Sequence, residues 1–273
     1  MKQSILLIAL FFSLSALAQN KLVKLWSTDT VLAVPESVLF DAKDQLLYVS
    51  LIDGHYNTKD GKGAVAKLGL DGKIINLNWV SGLNAPKGMG RYKDFLYVSD
   101  LTEVVVIDIK QAKVVQKIPV DGAKFLNDIT VSAKGDVYIS DSETGKVHLL
   151  KKGMITTAVT GLKGPNGLLS KGEKLYILAN GELLESIADG KTKVLATGMD
   201  TSTDGIEEVA PGEFIVSSWA GAIYLVKENT PNQLLLDTRA LKINTADIGY
   251  DAVKKIVYVP TFFKNQVVAY RLD

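Results

Sequence analysis

The chain has 273 residues, a formal net charge of +1, 47% hydrophobic residues, two histidines and no cysteine. The missing cysteines exclude disulfides, thiolate catalysis, thiolate-type structural zinc and lipidation at a cysteine. A near-neutral charge balance argues against a nucleic-acid or anionic-membrane binder, which would need a basic excess.

Residues 1–18 read as a secretory signal. Lys2 is a lone positive charge, residues 5–17 form an apolar run, and Ala16-Leu17-Ala18 has the small-x-small form of a cleavage site. The run is shorter than the ~20 residues of a spanning helix. The expected product is a single domain, 19–273, with no net charge and no membrane attachment, exported to the periplasm or secreted. Next comes an isolated strand pattern at 22–26, with no neighbour in sequence to pair with.

From residue 35 onward a short unit recurs. Each copy opens on a turn-like triplet: Pro35-Glu36-Ser37, Pro86-Lys87-Gly88, Leu126-Asn127-Asp128, Pro165-Asn166-Gly167, Thr203-Asp204-Gly205 and Ala246-Asp247-Ile248. The middle residues are 51, 40, 39, 38 and 43 apart, and 10 to 12 residues after each lies a strand centre: Tyr48, Tyr97, Tyr138, Tyr176, Ile215 and Tyr258. A β-rich unit of about forty residues is the signature of a propeller blade. The second unit shows all four strand patterns, at 87–91, 95–99, 104–109 and 114–120. The sixth unit runs out after three, and the 22–26 strand supplies the fourth. The predicted fold is an all-β six-bladed propeller whose ring is closed by the N-terminal strand joining the last blade. Seven blades would need forty more residues, and a β-sandwich would not explain the constant register.

The triplets should line the central channel at one mouth, giving a ring of Glu36, Lys87, Asn127, Asn166, Asp204 and Asp247. Three carboxylates and one ammonium leave two negative charges in a narrow space, a costly arrangement without compensation. The oxygens on offer are hard, with no imidazole or thiolate among them. One calcium ion in the channel is therefore expected ahead of zinc or copper, or another divalent cation in its place. Taken singly, Asn, Asp and Gly at strand starts are ordinary turn residues.

Glu36, Asn127, Asn166 and Asp204, set in Leu126-Asn127-Asp128, Gly164-Pro165-Asn166-Gly167 and Asp204-Gly205-Ile206, resemble the calcium ligands of the gluconolactonase/regucalcin (senescence marker protein) family. That family is related in fold to the diisopropyl fluorophosphatases. The resemblance spans essentially the whole of 19–273. It implies a calcium-dependent hydrolase of a lactone or related ester, with the metal on those four residues. Phe125 stands where family lactonases often carry an arginine that contacts substrate.

The sequence has no nucleophile elbow, zinc-protease helix, phosphate loop or dinucleotide fingerprint. Within the implied chemistry, calcium would polarise the carbonyl and Asp204 would orient or deprotonate water, or attack directly. Lys87 and Asp247 are read as substrate or charge-balancing residues. Loops after the second strands bring Asp100, Asp141, Trp219 and Phe262 to the mouth. His55 lies in a long excursion, 51–63, that reads as a lid or specificity loop. His148 falls in a third strand and reads as a packing residue. The alternative from a different class is a non-catalytic exported propeller with a structural calcium, binding a ligand or protein partner.

Overall fold

The computed structural model describes residues 20–273; the predicted signal lies outside them. Alternating apolar residues form six sheets of four antiparallel strands. The first is built from Pro35–Asp41, Leu46–Leu51, Gly63–Gly69 and Ile74–Leu83. The second, from Pro86–Tyr92, Phe95–Asp100, Glu103–Asp108 and Lys113–Pro119, follows the sequence pattern strand for strand. These are the blades of a six-bladed β-propeller. The predicted closure is present: Leu22–Ser27 pairs with Val267–Leu272 as the outermost strand of blade 6, with Leu22 opposite Leu272 and Trp26 opposite Ala269. Among the described residues no helix is long and apolar enough to cross a membrane.

A strand sends successive side chains to opposite faces, and a blade buries both of them. Blade 1 shows the consequence. Leu47 and Val49 pack with Tyr258 and Val267 of blade 6, whereas the intervening Tyr48 packs with Leu96 and Val98 of blade 2. One such apolar layer fills each blade–blade junction. Stability is thus spread round the ring and no single centre carries it.

Blade 6 departs from the repeat. Its inner strand is only Gly249–Asp251, and the Ala246-Asp247-Ile248 triplet precedes it. Asp247 is instead stitched to blade 1 by a parallel bridge to Ser37: its N–H donates to Glu36 O (3.0 Å), and Val38 N–H donates to its carbonyl (3.1 Å). The seam between first and last blades is closed at the channel as well as at the rim.

Candidate functional site

In blades 1 to 5 the triplet is a β-bulge. Pairing runs from Pro35↔Leu51 to Val38↔Val49, and likewise across Pro86/Met89, Leu126/Ile129, Pro165/Leu168 and Thr203/Ile206. One extra residue on the inner strand leaves the ladder and turns its side chain. The freed backbone groups are met by serines of the second strand. Ser50 Oγ accepts from Ser37 N (2.9 Å), Ser140 Oγ from Asp128 N (2.8 Å) and Ser217 Oγ from Gly205 N (2.8 Å), while Ser99 donates to Asn127 O. The inner strands also pass very close to one another. A Cβ on Gly167 would collide with the Asp204 carbonyl, so only glycine fits behind Asn166.

The bulges deliver Glu36, Lys87, Asn127, Asn166 and Asp204 into one cavity of about 470 Å³. Asn166 Nδ2 donates to Asp204 Oδ1 (2.9 Å), and Asn127 Nδ2 donates to Ser142 Oγ (3.2 Å). Two buried oxygens, Glu36 Oε2 and Asn166 Oδ1, have no protein partner. Burial raises the Glu36 carboxyl well above the usual range; Asp204 and Asp247 add to the shift and Lys87 opposes it. Asp204 is raised by burial and by Asp247, against the hydrogen bond from Asn166. Lys87, 2% exposed, donates to Ala85 O (3.0 Å) and lies 4.6 Å over the Phe125 ring. Burial lowers its pKa, with Glu36 and Asp100 opposing.

The sequence-predicted residues divide. Phe125, Trp219 and Phe262 line the cavity with the five above, and Tyr56, Ser142 and Phe263 join them. Four expectations need correction. Asp100 does not line it: its buried carboxylate accepts N–H bonds from Asn84 (2.9 Å) and Ala85 (2.8 Å) and caps the turn into the inner strand. Asp141 does the same for Lys124 (3.1 Å) and Phe125 (3.0 Å), positioning Phe125 without meeting the cavity. Asp247 faces the other half of the channel and accepts from Ser37 Oγ (2.5 Å), so it does not pair with Lys87. His55 lies outside the lining as well; its ring stacks on Tyr56 (4.3 Å), and Tyr56 reaches the cavity. His148 is buried, 3.6 Å from Asp141, in keeping with packing.

The sequence reading missed a second layer. Beyond the bulges, Asp128, Glu207 and Asp247 line a further cavity of about 490 Å³ along the same inner strands. Asp128 adjoins the bulge in Leu126-Asn127-Asp128, and its place beside Asn127 was the available signal. Tyr56 and Phe263 are neighbours of residues the reading did single out.

No protein-family model and no curated protein matches the chain. Solved structures do. A catalytically inactive virginiamycin B lyase from Staphylococcus aureus, crystallised with quinupristin, aligns at 13% identity and a TM-score of 0.65, over 93% of this chain and all of that one. A protein named as a "putative gluconolactonase" aligns at 13% identity and 0.67, over 94% and 93%. The extracellular domain of a Bacteroides thetaiotaomicron protein, named as a hybrid two-component system, aligns at 14% and 0.58, over 87% and 34%. At these identities the likeness establishes the propeller fold, which serves several kinds of protein.

Proposed function

We propose that this protein is a propeller hydrolase of a lactone or related ester, with its reaction centre at Asn166 and Asp204. The observation that carries the reading is the pair of buried, unpartnered oxygens, Glu36 Oε2 and Asn166 Oδ1, beside the 2.9 Å Asn166–Asp204 hydrogen bond. Likeness in fold to a propeller named as a putative gluconolactonase and to a virginiamycin B lyase supports an enzymatic reading.

Orphaned buried acceptors are costly, and a hard cation is the partner they lack. Among the described residues no three His, Cys, Asp or Glu are grouped to hold a metal. A cation here would rest on two carboxylates, Glu36 and Asp204, completed by the amide oxygens of Asn127 and Asn166. That donor set suits calcium, which accepts mixed carboxylate, amide and water oxygens. When bound, calcium supplies Lewis-acid polarisation of a carbonyl.

The chain's own contribution follows from the contacts. Asn166 holds one Asp204 oxygen through its N–H and leaves the other for a water, so Asp204 is oriented as a general base. Ser142 fixes the Asn127 amide. Lys87 holds positive charge at the floor and favours a substrate with developing or fixed negative charge. The aromatic wall displaces water from the carbonyl's surroundings, strengthening these electrostatic contacts.

The test is a panel of lactones, aryl esters and phosphotriesters, with and without chelator, on wild type and Asp204→Asn. Wild type should hydrolyse at least one class in a chelator-sensitive way. Asp204→Asn should fold and lose about 10²- to 10⁴-fold in turnover, as for a missing base. Calcium-loaded wild type inert towards every class would reject hydrolysis in favour of a binding propeller.

A further inference from the structure

The cavity wall is not uniform. Its polar members sit on or beside the bulges: Glu36 of blade 1, Lys87 of blade 2, Asn127 and Ser142 of blade 3, Asn166 of blade 4, and Ser202 and Asp204 of blade 5. The loops that follow the second strands of blades 5, 6 and 1 add an aromatic arc to this polar ring. Trp219 sits edge-on to Phe262 (5.5 Å) and Phe263 (6.0 Å), which meet each other at 4.7 Å. On blade 1 Tyr56 meets Phe125, which precedes the blade 3 inner strand, edge-on at 6.0 Å. Phe262 is buried with Ile52, Ala85, Leu101 and Ala246, an apolar footing beneath the arc. It also holds φ at +47°, a costly conformation for a bulky residue and one typical of functional positions.

The outer members of the arc are left uncovered: Trp219 is 38% exposed, Tyr56 47% and Phe263 62%. Three aromatic side chains facing one opening of about 470 Å³ make a surface that a small apolar group would cover. The arc's own hydrogen-bonding atoms are the Tyr56 hydroxyl and the Trp219 indole N–H. A ring bearing hydroxyls on every carbon would lose water there without regaining partners.

We propose that the cavity selects lactones or esters carrying an aryl or medium-length alkyl group, and that Trp219, Phe263 and Tyr56 read that group. The inference rests on the reading above only in placing the carbonyl end at Asn166 and Asp204. The apolar group then extends over the aromatic arc of blades 5, 6 and 1. A polyhydroxylated sugar lactone is a poor fit to the same wall.

The experiment separates binding from turnover by using lactams, which keep the cyclic carbonyl but resist hydrolysis. Calorimetry would compare five-membered lactams bearing methyl, hexyl or phenyl groups, and a polyhydroxylated six-membered lactam. The hexyl and phenyl compounds should bind at least about tenfold tighter than the methyl compound, and the polyhydroxylated one most weakly. Trp219→Ala and Phe263→Ala should each remove most of that preference while leaving methyl-lactam affinity within about twofold; Trp219→Phe should retain it. Both sites are on the exposed rim, and unchanged melting temperatures would confirm folding. Equal binding of all the lactams, no binding of any, or a preference that survives both alanine variants would overturn the proposal. The matching lactones report on hydrolysis separately. Apolar preference without hydrolysis supports this selectivity and rejects the hydrolase; hydrolysis without preference does the reverse.

Discussion

In the half of the channel beyond the bulges, Asp128 accepts N–H bonds from Leu168 and Ile129, both at 2.6 Å, and Asp247 takes the Ser37 hydroxyl at 2.5 Å. The first of these ties blade 3 to blade 4, and the last ties blade 6 to blade 1. In the cavity half, acidic residues from equivalent strands leave Glu36 Oε2 without a partner, and Asn166 Oδ1 beside them is equally bare. Residue type is therefore not what separates the two halves. One set of carboxyl groups has been used to staple blades together, and the other has been left short of partners. Only the second set has coordination to offer.

The largest stability effect should come from the stapling half. Asp128→Ala would strand the Leu168 and Ile129 amides in a buried channel, at about 1–3 kcal/mol for each orphaned group. Chemical denaturation should show that loss, while calcium binding in the folded variant stays close to wild type. A comparable loss of calcium affinity would break the division between the halves.

Calcium addition probes the other half and should have the next largest effect. A ligand at a hundred times its Kd adds about 2.7 kcal/mol to a fold that alone binds it. Metal-stripped protein should therefore melt several degrees higher with calcium, and Glu36→Gln should abolish most of the rise. A calcium shift that survives this substitution would move the cation elsewhere.

These two predictions lean on features of unequal legibility. Six triplets at constant offset from their strand centres disclose the blade count, and the unpartnered 22–26 strand discloses the closure, because both follow from local pattern. The side-chain directions do not. Asp100 and Asp141 share the mouth with Trp219 in sequence order, yet both are consumed by N–H groups of their own turns. Such capping depends on where the preceding loop places its amides. Asp247 occupies the sixth triplet, but the parallel seam with Ser37 turns it to the opposite half. His55 and Tyr56 are adjacent, and only the folded excursion decides which one reaches the cavity.

The pH dependence of the metal-stripped protein sharpens the comparison on a smaller scale. Burial, opposed by the Ser37 hydrogen bond, raises Asp247 from 3.8 to about 7. Burial and then Asp247 raise Glu207 from 4.5 to about 8, against Lys171 and a backbone N–H. The unfolded chain would release these protons near pH 4, so between pH 4 and 8 the folded state binds more of them. Stability from these groups is full below pH 4 and is lost as pH rises through 7 and 8. Exposed carboxyls with lowered pKa values, such as Asp94 and Asp237 at about 2, contribute their stability in full above about pH 4 and lose it only as pH falls towards 2, so they are flat across this window. Melting temperature in chelator should fall by a few degrees from pH 5 to pH 8. Saturating calcium should narrow the fall, because the cation favours ionised Glu36 and Asp204. A rise with pH in chelator would mean that the channel acids are already ionised at pH 5.

The smallest effect is expected at Lys87, and it tests whether the cavity half is organised round a cation. An ammonium has three donors and no acceptor, so it cannot ligate a metal. Its contacts here are the Ala85 carbonyl at 3.0 Å and the Phe125 ring at 4.6 Å, with Glu36 and Asp100 supplying the opposing charge. Lys87→Met keeps most of the stem against Phe125 and exchanges the charge for a thioether that packs well on aromatic rings. The Ala85 carbonyl loses its donor, a cost of about 1 kcal/mol. Removing a like charge leaves calcium nothing to work against, so affinity in a titration at fixed ionic strength should hold or tighten modestly. Binding of an anionic lactone should weaken. Glu36 loses the one charge that lowers its pKa, so calcium uptake in this variant should depend more steeply on pH than in wild type. A collapse of calcium affinity would give a different result: Lys87 would then be holding the bulge in shape, and the cavity half would be as structural as the half below it.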